Sequence, residues 1–113
     1  MPTPEILFFK VNIKIFKEDG FLAAISPQRL HTLIGLATFM DEKGYCYPPE
    51  DLLAKILGIS ITQVSVRVTD LAKFKWKGDE VIAVIKVRNK KGRFDNNSYY
   101  ISFESGVSIF DSD

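Results

Sequence analysis

Between Phe9 and Ile15 apolar and polar positions alternate, with Phe9, Val11, Ile13 and Ile15 on one face and Lys10, Asn12 and Lys14 on the other. A period of two is that of a half-buried strand, because successive side chains of an extended chain point to opposite faces. Met1 to Glu5, with two prolines, reads as a loose end. Phe16 to Ala24 reads as a connection containing the turn signal Glu18-Asp19-Gly20. The period then changes. Ser26-Pro27 predicts a helix start, with serine as cap and proline at the first helical position, where its missing N–H is not needed. From there Leu30, Leu33, Ile34, Ala37 and Met40 form one apolar face, and Leu36 and Phe39 widen it. So broad a face is expected of a central helix packed on two sides. Asp41 to Gly44 ends that helix, and Tyr45-Cys46-Tyr47-Pro48-Pro49 makes a stiff connection.

Residues 50–74 then predict two short helices joined by a tight turn. Leu52, Leu53, Ile56 and Leu57 recur at helical spacing, with Glu50 and Asp51 placing negative charge at the positive end of the first helix. Gly58 supplies the turn, since a residue without Cβ enters left-handed backbone space readily. Ser60 caps the second helix, and Gln63 completes a capping-box pattern. Val64, Val68 and Leu71 make the inward stripe, and Thr62, Gln63, Ser65, Val66, Arg67 and Thr69 make the opposite face. Small Ala54 and Gly58, with Ile59 and Val64, allow two helices to cross closely and fix their angle, which is the helix-turn-helix pattern. An ordinary pair of core helices would show much of the same spacing. Beyond Phe74, Lys75-Trp76-Lys77-Gly78 fits neither period. Val81 to Val87 and Ser98 to Phe103 are β-rich stretches flanking a polar, basic loop, and read as a hairpin with a long tip. The last eight residues show little pattern.

A length of 113 residues is that of one domain, with 46% hydrophobic and 26% charged residues as in ordinary soluble chains. Cys46 is the only cysteine, so no internal disulfide can form, and a reducing cytoplasm is the expected location. Neither a membrane span nor a secretory leader is present in the pattern, because Lys10, Asn12 and Lys14 interrupt the N-terminal apolar residues.

The formal net charge of +1 conceals an uneven distribution. Residues 73–93 hold eight cations against two carboxylates, a net of +6, and the remainder holds seven against twelve, a net of −5. A basic segment on an acidic body suits a polyanion such as double-stranded DNA. It equally suits a lysine-rich strand edge that resists aggregation. In the hairpin, Lys86, Arg88, Lys90, Lys91 and Arg93 are candidate phosphate contacts. On the second helix of the pair Ser60, Thr62, Gln63, Ser65, Val66, Arg67 and Thr69 are candidate DNA contacts, with Gln63 suited to adenine and Arg67 to guanine or phosphate. Phe94, Tyr99, Tyr100 and Phe103 can stack on bases of a single strand, although strand aromatics are more commonly core, the assignment favoured for Phe103. Trp76 is either packing at the hairpin base or part of a protein contact.

Catalysis finds no support. His31, the only histidine, reads as a surface or helix-packing residue, and Cys46 has no histidine partner in the pattern and fills a small apolar gap. No Cys/His spacing for zinc and no glycine-rich phosphate loop occurs, so no metal, no cofactor and no enzymatic activity are expected.

Strand, helix, helix-turn-helix and basic hairpin form the order of a winged-helix domain, an α+β fold with a three-helix core. The run from Leu36 to Phe74 resembles the winged-helix domain at the front of many replication proteins of Gram-positive plasmids and phages. Gly44-Tyr45-Cys46-Tyr47-Pro48 and Leu53-Ala54…Leu57-Gly58-Ile59-Ser60 stand at that family's Gly-x-Cys-aromatic-Pro connection and Leu-Ala…Leu-Gly-Ile-Ser turn. The similarity extends over about residues 9–103 of a single domain spanning 1–113. It implies duplex binding in replication initiation or its regulation, as a homodimer on a repeated or palindromic site, or with a replication-protein partner. Related domains serve as transcription regulators, and in DnaD-type primosome proteins the winged helix serves oligomerisation. The chain departs from the pattern at Pro49, where a capping serine is usual, and at Ile61 and Val66, where basic residues are common. Arg67 is thus the recognition helix's only cation before Lys73, which shifts the electrostatic role to the wing. The further domain usual in replication initiators does not follow, so a lone small regulator and one domain of a longer protein both fit.

Overall fold

The apolar faces read from the sequence meet around one helix, Pro27–Ala37, in a mixed α+β structure. The structure is a computed structural model and describes residues 9–85, 98–102 and 105–109. Strand β1 (Phe9–Val11) begins the described chain but stops short of the expected Ile15. Asn12 ends it by turning its own polar groups on the backbone. Its Oδ1 accepts from the Ile15 N–H at 3.2 Å and its carbonyl from the Phe16 N–H at 3.0 Å. Local bonds of this kind compete with a strand ladder. A five-residue π-helical turn, Lys14–Glu18, follows and is closed by the Asp19 N–H on the Lys14 carbonyl at 2.8 Å. Ile13 is therefore 73% exposed rather than inward, and Phe16 is buried.

The expected connection over Phe16–Ala24 is also partly helical. Helix α1 (Phe21–Ile25) buries Phe21 and Ile25. Phe21 is the centre of an aromatic group, with ring centroids 5.0 Å from Phe16, 5.3 Å from Trp76 and 6.3 Å from Phe74. Helix α2 (Pro27–Ala37) starts at Pro27 as expected, but Ser26 does not cap it with its side chain. Ser26 has φ +82° and ψ 153°, which lets the chain turn a corner between two helices only one residue apart. Leu33, Leu36, Ala37 and Met40 are buried, and Leu30 and Phe39 pack at the margin, so the broad apolar face is used. Gly35 admits α3: a Cβ there would collide with the Leu57 side chain.

Tyr45–Cys46 is strand β2 rather than a plain connection. It is set up by Asp41, whose Oδ1 accepts from the Lys43 and Tyr45 N–H groups at 2.9 and 3.0 Å. Helix α3 (Glu50–Leu57) begins at Pro49 without a side-chain cap. It ends at Gly58, φ +73°, with the Ile59 N–H on the Ala54 carbonyl at 3.0 Å and the Gly58 N–H on Lys55 at 3.2 Å. Helix α4 (Ile61–Lys73) leaves at 86° to α3. Ser60 Oγ accepts from the Gln63 N–H at 3.2 Å, half of the expected capping box. Val64, Val68 and Leu71 are buried as the stripe predicts.

Lys75–Trp76 (β3) and Asp79–Glu80 (β4) form a small hairpin across Lys77-Gly78, both with positive φ, which gives the unassigned segment its structure. Strands β5 (Ile82–Ile85) and β6 (Ser98–Ile101) pair antiparallel, Ile82 opposite Ile101 and Ile85 opposite Ser98, within a sheet of order β2-β6-β5. The tail expected to lack pattern supplies β7 (Val107–Ile109), which pairs with β1. Among the described residues no helix is long and apolar enough to cross a membrane, and α3 and α4 together are too sharply bent to act as one rod.

Candidate nucleic-acid interface

Helix α4 offers its outer face because its inner one is fully occupied by Val64, Val68 and Leu71. Thr62, Gln63, Ser65, Val66 and Thr69 are exposed there, and Ser60 stands at its N-terminus with its hydroxyl engaged in the cap. The face is polar but neutral, with Val66 55% and Ile61 51% exposed beside it. Two apolar side chains of α3, Leu52 and Ile56, are exposed as well.

Arg67 departs from its expected place on this face. It is half-buried and turned onto α2, with Nη1 3.5 Å from His31 Nδ1. The sequence carries the signal for this: Arg67 lies three residues after Val64 and four before Leu71, on the flank of the buried stripe. Asp70, on the same flank, accepts from Arg29 of α2 at 3.0 and 3.3 Å. The Arg29 guanidinium also lies 5.3 Å from the centre of the Phe74 ring.

Lys86, Arg88, Lys90, Lys91 and Arg93, together with Phe94 and Phe103, lie outside the described residues. The strands on either side, β5 and β6, are in register. Of the basic segment's described part, Lys73, Lys75 and Lys77 are exposed, but Lys75 pairs in register with Glu80, and Lys77 Nζ lies 3.8 Å from Asp19 and 5.4 Å from the centre of the Trp76 ring. Residues 86–93 hold five cations and no carboxylate in the sequence.

Tyr99 is buried against the core and cannot stack on a base. Tyr100, on the opposite face of β6, is half-exposed with its ring 5.1 Å from that of Tyr45. Trp76 packs edge-on against Phe21 and is a core-margin residue in this chain. A shallow open groove between the β3–β4 hairpin and this sheet face is lined by Lys75, Asp79, Glu80, Ala83, Tyr100 and Ser102. It places one cation among two carboxylates without a nucleophile–base pair.

Cys46 is buried, and burial, reinforced by the Asp41 carboxylate, pushes its thiol up to about 12. A thiol held protonated in this way is a poor nucleophile and a poor metal ligand. No three His, Cys, Asp or Glu side chains come together as a metal site among the described residues. Comparison with known protein families, curated proteins and solved structures finds no match to this chain.

Proposed function

We propose that the chain is a duplex-DNA-binding protein of the winged helix-turn-helix class. Helices α2, α3 and α4 are the three-helix core, α4 enters the major groove, and the β5–β6 hairpin is the base of a basic wing. Within that class we propose a role in plasmid- or phage-type DNA replication initiation or its regulation. The observation that carries the reading is α4 itself. It is anchored by Val64, Val68 and Leu71, set nearly perpendicular to α3, and leaves Thr62, Gln63, Ser65 and Thr69 free for base edges and phosphates. The charge concentrated in residues 86–93 supplies the phosphate attraction that the neutral helix lacks.

Exchange of Lys90, Lys91 and Arg93 for glutamate tests this. Duplex affinity at low salt should fall by at least about tenfold, and the salt dependence should flatten by two to three displaced counterions, on the order of 0.9 in log–log slope for each phosphate contact. Unchanged affinity in a folded variant contradicts the proposal. A second reading, a winged helix used for protein contact, is favoured by the exposed Ile61 and Val66 on the face where cations would serve DNA. It predicts that the charge-reversed variant keeps its DNA affinity and loses a protein partner.

A further inference from the structure

Helix α3 is packed on one side only. Leu53, Ala54 and Leu57 are buried towards α2 and α4, and the opposite side, Asp51, Leu52, Lys55 and Ile56, faces outward. The helical period splits this outer side into two rails, Leu52 with Ile56 and Asp51 with Lys55, because residues four apart lie one above the other. The apolar rail is open, with Leu52 41% and Ile56 48% exposed. The polar rail holds one charge of each sign. Asp51 and Lys55 have the spacing of an in-helix ion pair, yet among the described residues neither side chain has an ion-pair or hydrogen-bond partner.

Such a surface complements itself in one arrangement. A two-fold axis perpendicular to the plane of two antiparallel helices keeps each rail on its own side of the contact and reverses its direction. Leu52 then meets Ile56 of the second copy and Asp51 meets Lys55 of the second copy, each twice. In a parallel pair the rails exchange sides, and the apolar rail of one copy meets the charged rail of the other. We propose that the outer side of α3 is a self-association surface, on which a second copy of this chain packs antiparallel across a two-fold axis. The charge pattern selects the occupant, since the face carries both members of the ion pair that its own reversed image requires. One helix of eight residues per copy makes a contact that is small beside stable interfaces, so the dimer is weak, with a Kd between about 1 μM and 1 mM. The inference goes beyond the DNA-binding reading and does not depend on it.

The experiment is sedimentation equilibrium of the full chain without DNA, at concentrations from about 1 μM to 1 mM. The mass should rise from the 12.8 kDa of one chain towards twice that value. Leu52→Glu, which puts a carboxylate on the apolar rail, should abolish the rise, and Leu52→Ser replaces it if that variant does not fold. Asp51→Lys and Lys55→Asp should each weaken self-association roughly tenfold, the scale of two exposed ion pairs turned repulsive. Mixed in equal amounts, these two variants should associate with each other as tightly as the wild type does with itself, because each supplies the charge that the other lacks. Thermal unfolding verifies that each variant is folded. A wild type that stays monomeric up to about 1 mM overturns the proposal and leaves the face to a partner of another kind. A dimer that survives the Leu52 substitution, or failure of the two charge variants to associate in the mixture, overturns it as well.

Discussion

Cys46 and Ser26 show how far single positions are set by their surroundings. The Cys46 thiol titrates at about 12 instead of 9.0 because the buried site disfavours the thiolate and Asp41 repels it. The folded state thus holds its proton in a pH range where the unfolded chain has released it. The stability this confers is intact below pH 9.0 and is lost as pH rises towards about 12. Denaturant unfolding should show an alkaline decline of up to about 1.4 kcal/mol per pH unit that Cys46→Ala reduces, whatever that variant's baseline stability. An equal slope in both proteins would show that the thiol ionises as freely folded as unfolded. Ser26 occupies backbone space that is nearly exclusive to glycine, with φ +82° and ψ 153°, and gains no cap bond in return. Ser26→Gly should therefore stabilise the fold by about 1 kcal/mol, read from the unfolding midpoint. Arg67 belongs to the same scale. Its type suggested a contact to guanine or a phosphate, but its position on the flank of Val64 and Leu71 turns it towards His31.

At the scale of elements, α3, its turn and α4 were legible because local signals agree. Gly58 takes the left-handed turn, Ser60 makes the cap, and the stripe of Val64, Val68 and Leu71 is buried. Gly58 has open space around its Cα, so Gly58→Ala isolates the backbone term and should cost about 1 kcal/mol in thermal or denaturant unfolding. No loss there would mean that the turn tolerates a side chain and that the glycine is not what sets the helix angle. The broad face of α2 and the β5–β6 pairing were equally readable, since each extends over a full period of its pattern. What stayed hidden was short or depended on distant partners. β1 and β7 are three residues each and exist by pairing with one another from opposite parts of the sequence. β2 needs β6, and α1 is a single turn and a half held by Phe21 within an aromatic group drawn from three segments. The alternation over residues 9–15 misled because Asn12 bonds its own neighbours, which moves Phe16 inward in place of Ile13.

For the whole molecule the organising feature is charge placed apart from shape. The helix proposed for groove contact is neutral on its outer face, its one mid-helix arginine rests on α2, and the net +6 is carried by residues 73–93 of the sequence. Such an arrangement predicts weak sequence-independent attraction through the hairpin, with α4 adding discrimination only once it is seated. Of the candidate residues of α4, Thr62, Gln63, Ser65, Val66 and Thr69 were legible as an exposed face, whereas the placement of Arg67 against His31 depends on how α2 and α4 meet. The central claim is tested most directly by fluorescence anisotropy of a labelled mixed-sequence duplex titrated with the chain across a salt series. Binding should weaken with salt along a log–log slope of about −3 to −5, a handful of displaced counterions. Absence of binding even at low salt would contradict it and would turn the exposed apolar residues of α3 and α4 into the leading surface.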